Sequence, residues 1–437
     1  MNDAKWEGRG SWPRLPALTE SIRDFFRGSF FKGLRWNLGA YALARITTLA
    51  VGMVVAGGLG AAAFAQLTYF TLTVNLLGAF SDFGVSTATT RATIEARSQP
   101  LALPRLVGGF HLTLPAWAVT FFAVTQISQV GGWSAQALGV LAIGGLATAW
   151  QSISAAILTG LDRQAAIFTG NVIFATLQIA FAGLAVWLGD VRWAIGGLAL
   201  AYAAQTAVQL VLASNRLALP LRAWLKPSPS AMRDAMGMVG VMALTSLIAS
   251  ALPFAIGDHL ASSDPSGVAL AVFGVSTALF GLVMAVPSRV GMLYFVRQVS
   301  HHFDVAGRAA MMRQDLRAAF LTVMAAVAGL VGLVAILPLL LPRWGSDVAA
   351  HGATLIVFSA LAVLAAGTQL LGSRVVAVGR PQAWLAVTIA QTAASYIALK
   401  AIPVDSIWLP TVVFGVGYGC TLACGLWAYR LAIGAKR

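Results

Sequence analysis

Arg45 is the residue whose position most needs a chemical reason. It lies about 12 Å into an apolar run that begins near Asn37, at 1.5 Å per helical residue, and that run is long enough to cross a bilayer. A guanidinium is permanently charged, and its planar fork matches the oxygens of a phosphate, so a buried arginine here suits an anionic ligand. Asn37, Tyr41, Arg45, Thr48 and Gly52 recur at steps of three and four and share one helical face. The next apolar run carries a second stripe, Thr68, Thr71, Asn75 and Asp82, and ends in Ser81-Asp82-Phe83-Gly84 before the exit arginines Arg91 and Arg97. Lipid would leave both stripes unsatisfied, so this hairpin, 37–97, predicts a water-accessible cavity.

Neutral hydrogen-bonding side chains are spread through the other runs: Gln151, Ser152, Asn171, Gln178, Gln205, Gln209, Gln369 and Gln391. The ordinary role of such residues in a membrane is to bond one helix to another. Asn75 stands out by sharing a stripe with Asp82, and Gln151 by its place beside Ser152 at mid-span. Tyr41, Arg45, Asn75 and Gln151 are therefore the expected substrate-binding residues. His111, alone near the end of its run, reads as a packing residue.

The scaffold that must position them is membranous. Of 437 residues, 58% are apolar and only 10% charged, and the mean hydropathy is +0.80, outside the range of soluble domains. The net charge of +14 does not point to nucleic acid, because the basic residues sit in short segments between apolar runs. Cys420 and Cys424, one helical turn apart in the last run, read as packing residues rather than as a disulfide or metal site. No metal ligand set and no cofactor is expected. Residues 1–36 hold seven Lys or Arg and an aromatic stretch ending at Trp36. They suit a capped helix at the headgroup level or a basic tail with an aromatic anchor, and lack the apolar core of a cleavable signal.

Twelve spans follow: 37–58, 62–84, 106–128, 135–158, 165–188, 193–213, 235–257, 267–289, 318–341, 350–372, 382–401 and 408–432. Alternate connections, counted with both termini, hold 25 of the 29 Lys and Arg, so both termini are expected in the cytoplasm. The predicted organisation is a basic segment 1–36, a six-helix bundle 37–214, a linker 215–234 and a second six-helix bundle 235–437. Two short matches relate the halves. Ser81-Asp82-Phe83-Gly84 aligns with Ser288-Arg289-Val290-Gly291, and the turn around Arg163-Gln164-Ala165 aligns with Arg380-Pro381-Gln382-Ala383. If an axis along the membrane normal relates them, Asp82 and Arg289 face each other at the cytoplasmic mouth and would form a gating ion pair. Pro253, Pro287 and Pro338 mark helices able to kink.

The hairpin with Phe80-Ser81-Asp82-Phe83-Gly84 and Arg91, the turn Leu158-Thr159-Gly160-Leu161-Asp162-Arg163, and Pro287-Ser288-Arg289 with Gly379-Arg380-Pro381 resemble the polysaccharide-flippase (Wzx-type) branch of the MOP exporter superfamily. That superfamily also includes lipid II flippases and multidrug MATE transporters. The resemblance implies an all-α polytopic membrane protein of two pseudo-symmetric six-helix bundles in a bacterial inner membrane. It further implies movement of undecaprenyl-diphosphate-linked oligosaccharide, a polysaccharide or O-antigen repeat unit, to the periplasmic leaflet, with membrane lipids and polysaccharide polymerase or assembly proteins as partners. The family often carries several intramembrane charges where this chain has one deep arginine, so no proton or sodium coupling site is assigned. A MATE-like exporter is the alternative, although a cationic drug calls for deep carboxylates that the spans lack. A glycan ligase or polymerase would need a large external catalytic loop, and no external connection exceeds about a dozen residues on the hydropathy reading. A non-transporting scaffold of a glycan-assembly complex is a further alternative.

Overall fold

A computed structural model describes residues 29–82, 85–86, 89–90, 93, 103–217, 224, 229–289, 308–377, 380–402 and 406–434. The basic segment before Ser29, Phe83, Gly84, Arg91, Arg97 and Gly379 lie outside the described residues. Twelve long helices follow in order. The first six are α1 Ser29–Leu59, α2 Ala61–Asp82, α3 Leu103–Ile127, α4 Ala135–Gly160, α5 Gln164–Leu188 and α6 Arg192–Leu217. The second six are α7 Pro229–Ser263, α8 Val268–Val283, α9 Arg308–Leu340, α10 Gly352–Ala377, α11 Pro381–Ala401 and α12 Leu409–Gly434. Each predicted span falls on one of them. Among the described residues nine helices are long and apolar enough to cross a membrane, and α8 is a shorter apolar one. The fold is an all-helical, multi-pass membrane protein.

The helices bury small residues together with aromatic ones such as Phe70, Phe110 and Phe273, and leave other large apolar residues outward. Val119, Phe122, Trp187 and Leu339 are each two-thirds or more exposed, which in a bilayer is a lipid-facing rim. Glycine makes the closest approaches: a Cβ on Gly57 of α1 would lie 2.7 Å from the carbonyl oxygen of Arg343, beyond the end of α9, and Gly60 reverses the chain between α1 and α2 at φ +89°.

The two halves repeat a backbone motif. In the turn after α4, Arg163 N–H donates to Leu158 O at 2.8 Å and Arg163 O accepts from Ala166 N–H at 3.0 Å. In the turn after α10, Arg380 N–H donates to Val375 O and Arg380 O accepts from Ala383 N–H, both at 3.1 Å. The arginines share one conformation, φ −105° and ψ 55° against φ −117° and ψ 54°. The turn match seen in sequence is thus a structural repeat.

The predicted eighth span is not one helix. It stops at Val283, passes through a turn at Met284 and resumes over 285–289. Pro287 explains this, since it has no N–H for the carbonyl of Val283 four residues earlier. The break gives the last turn, with Arg289, its own direction.

Candidate functional site

α1 brings Tyr41, Arg45 and Thr48 to the wall of a cavity of about 560 Å³. α2 adds Thr68, Thr71 and Asn75, and α4 adds Gln151, so the four expected substrate-binding residues share one cavity. α5 and α6 supply Asn171, Gln178, Tyr202 and Gln205. From the second half come Ser250 and Pro253 on α7, Gly274, Thr277 and Ala278 on α8, and Arg289 beyond the break. Among the described residues this lining holds two arginines and no Asp, Glu or His.

Tyr41 organises the charged end. Its hydroxyl accepts a hydrogen bond from Arg45 Nη2 at 2.8 Å, with the Arg45 Cζ 4.8 Å from the ring centroid. The Arg289 Cζ lies 4.3 Å from the same centroid, a cation–π distance. One aromatic ring therefore lies within cation–π distance of two guanidinium groups, one from each half. The second half makes room for the first: a Cβ on Gly281 of α8 would lie 3.0 Å from Arg45 Nε, so the arginine stem crosses the interface where α8 has no side chain.

The polar groups differ in how much capacity they have left. Thr48 and Thr71 donate to carbonyls of their own helices, Ala44 O at 3.0 Å and Leu67 O at 2.7 Å. Asn171 Nδ2 donates to Ala40 O at 2.6 Å, and its Oδ1 accepts from Gln205 Nε2 at 2.5 Å, which ties α5 to α1 and α6. The side-chain amides of Asn75, exposed, and of Gln151 are bonded to no other group among the described residues.

Solved structures share this helical fold. An inward-facing multidrug resistance MATE family transporter of the MOP superfamily aligns with a TM-score of 0.67 and 17% identity, over 90% of this chain and 95% of that one. A MATE in complex with MaL6 aligns with a TM-score of 0.67 and 16% identity, over 94% and 98% of the two chains. The chain has the MATE transporter fold. An outward-facing MATE of the MOP superfamily aligns nearly as well, with a TM-score of 0.64 and 17% identity over 94% and 98%. No protein-family model and no curated protein sequence matches the chain.

Within this MATE fold the expected gate pair is not brought together. The Asp82 carboxylate accepts from the Ser86 N–H at 2.9 Å and from the Ser86 hydroxyl at 2.7 Å, and Arg289 turns to Tyr41 instead. Asp82 closes α2, whereas Arg289 lies in the short helical turn that follows the break at Met284. His111 is buried in α3 with Nε2 2.8 Å from the carbonyl oxygen of Trp224, a packing and anchoring role. Reasoning from sequence left Asn171, Gln178 and Gln205 among many interchangeable amides and did not single out Tyr202. The seven-residue step from 171 to 178 places two amides on one face of α5 and was the available signal.

Proposed function

We propose that the protein is a flippase that carries an anionic lipid-linked oligosaccharide, of the undecaprenyl-diphosphate class, between membrane leaflets by alternating access. The observation that carries this reading is the pair of guanidinium groups against the Tyr41 ring, in a cavity whose lining, among the described residues, carries amides and no carboxylate. In a low-dielectric interior two guanidinium groups against one ring repel a cation and attract the oxygens of a diphosphate. The sugar of the same molecule needs neutral partners to leave water, and Asn75 and Gln151 have that capacity. The distribution of Lys and Arg supports cytoplasmic termini in a bacterial inner membrane, hence transfer toward the periplasmic leaflet and delivery to polymerase or assembly proteins.

The MATE fold by itself favours a second reading, export of a small molecule, since the structural neighbours include multidrug resistance transporters. The cavity charge favours the first. Reconstitution in liposomes with a fluorescent undecaprenyl-diphosphate oligosaccharide, followed by an external quencher, separates them. Protein-dependent flipping that falls at least tenfold in Arg45→Ala and in Arg289→Ala, both still folded, supports the flippase. Absence of flipping while a cationic dye is exported overturns it.

A further inference from the structure

We infer that Gln178, with Gln205 and Gln151 beside it, forms a subsite for the hydroxyl groups of a neutral sugar, held by the first half of the molecule alone. The placement of that sugar next to an anionic group rests on the function proposed above. The side chain of Gln178 is only 6% exposed and lines the cavity, yet its Oε1 has no hydrogen-bond partner among the described residues. A buried amide oxygen left this way is destabilising, and membrane proteins retain such groups where a ligand satisfies them.

The neighbouring amides do not complete Gln178. Asn171 spends its amide on Ala40 O and on Gln205, and Gln205 spends its Nε2 on Asn171. Among the described residues that leaves Gln205 Oε1 and the side-chain amide of Gln151 unbonded on the cavity wall, with Gln178 Oε1 buried and unbonded in the same lining. The set is uncharged and offers both donors and acceptors, as adjacent hydroxyls require. An anionic group gains more at the arginines. A flat aromatic ligand finds no free ring on this wall, because Phe174 and Tyr202 pack on each other with centroids 4.9 Å apart. Across the cavity the second half presents Pro253, Gly274 and Ala278; Ser250 already has a partner, and Thr277 is satisfied by Gly274 O at 2.9 Å. The anionic group would thus touch both halves, and the sugar only one.

The test uses the full chain in nanodiscs and three probes: decyl diphosphate, decyl diphosphoryl glucose and decyl β-glucoside, with affinities measured by calorimetry. Gln178→Leu removes the unpaired oxygen at nearly constant volume, so it should fold at least as well as the parent. The expected result is about tenfold weaker binding of decyl diphosphoryl glucose with decyl diphosphate unchanged within twofold, and recovery of most of the loss in Gln178→Glu, which keeps an acceptor. Equal loss on both diphosphate probes, or no loss on the sugar-bearing one, overturns the subsite. If the parent protein fails to bind decyl diphosphate, the anion reading falls instead, and decyl β-glucoside then decides the subsite: it stands if Gln178→Leu weakens the glucoside and is overturned if binding is unchanged or absent.

Discussion

At the scale of single residues, Tyr41 is the least replaceable neutral side chain of the charged end. Its ring faces both arginines and its hydroxyl fixes one of them. Tyr41→Phe keeps the ring and removes the acceptor for Arg45 Nη2. Binding of decyl diphosphate should weaken by about tenfold or more, the low end for a hydrogen bond to a charged group, with little change in thermal stability. Arg45→Lys should weaken it further, because an ammonium keeps the charge but loses the fork and the ring contact geometry. An affinity for Arg45→Lys equal to that of the parent would make the site a simple point-charge trap. The spacing of Tyr41, Arg45 and Asn75 on two stripes was enough to place them on one cavity. The partner of Asp82 was not legible, because a carboxylate at a helix end can be satisfied within its own next turn, and Ser86 does so.

At the scale of elements, the twelve helices were readable from apolar run length alone, since each must satisfy its backbone inside a bilayer. The break in α8 was not, although Pro287 was visible: a proline near a helix end is compatible with a clean terminus or with a redirected last turn. The linker shows a similar gap. Trp224 lies in it, yet is 1% exposed, packed edge-on against Phe110 at 5.6 Å and bonded through its carbonyl to His111. A basic, proline-containing segment does not announce such an anchor. Trp224→Ala should cost about 3–5 kcal/mol and lower the melting temperature measured in detergent, where a free tether would lose nothing.

The turn before α8 makes a pH prediction. Partial burial pushes the Asp264 carboxyl up, but the Ser266 hydroxyl and the backbone N–H groups of Ala269, Ser266 and Gly267 together hold it below the ordinary carboxylate value. A carboxyl depressed in the folded state stabilises above its unfolded value of about 3.9 and loses that contribution as pH falls through the lower folded value. The stability gap between the parent and Asp264→Ala, measured by thermal melts, should therefore persist at neutral pH and close as pH drops below about 4. A gap that stays constant down to pH 3 would remove the carboxylate from the account.

At the scale of the molecule, contacts between the halves concentrate toward the end that carries the Gly60 turn. Gly57 meets the backbone of Arg343, Gly267 meets Ala62 and Ala65, and the Tyr69 hydroxyl donates to Asp258 Oδ1 at 2.5 Å. Tyr69 also stacks on Phe254 at 6.1 Å and meets Trp133 edge-on at 5.7 Å, so α2, α7 and the loop after α3 close together. Alternating access requires this seam to part. Tyr69→Phe should move the equilibrium toward the parted state. Spin labels at Ala62 and Ser266, in a background lacking Cys420 and Cys424, should then report a larger long-distance population, and an unchanged distribution would show that apolar packing alone holds the seam. The pairing of helices across the halves was not legible from hydropathy, which reports depth in the membrane but not which faces meet.

The apolar stretch Ala318–Trp344 has the highest hydropathy of the spans, 2.6, and only 17% of it is buried. Its 27 residues correspond to about 40 Å of helix, against about 30 Å of hydrocarbon. Held on one side by the protein and on the other by acyl chains, it must lean or thicken the bilayer around it. Since its last turn, at Arg343, meets Gly57 in the seam between the halves, the lean is mechanically joined to opening. Lipid chain length should then act on this protein as an effector, shifting the balance of its conformations without entering the cavity.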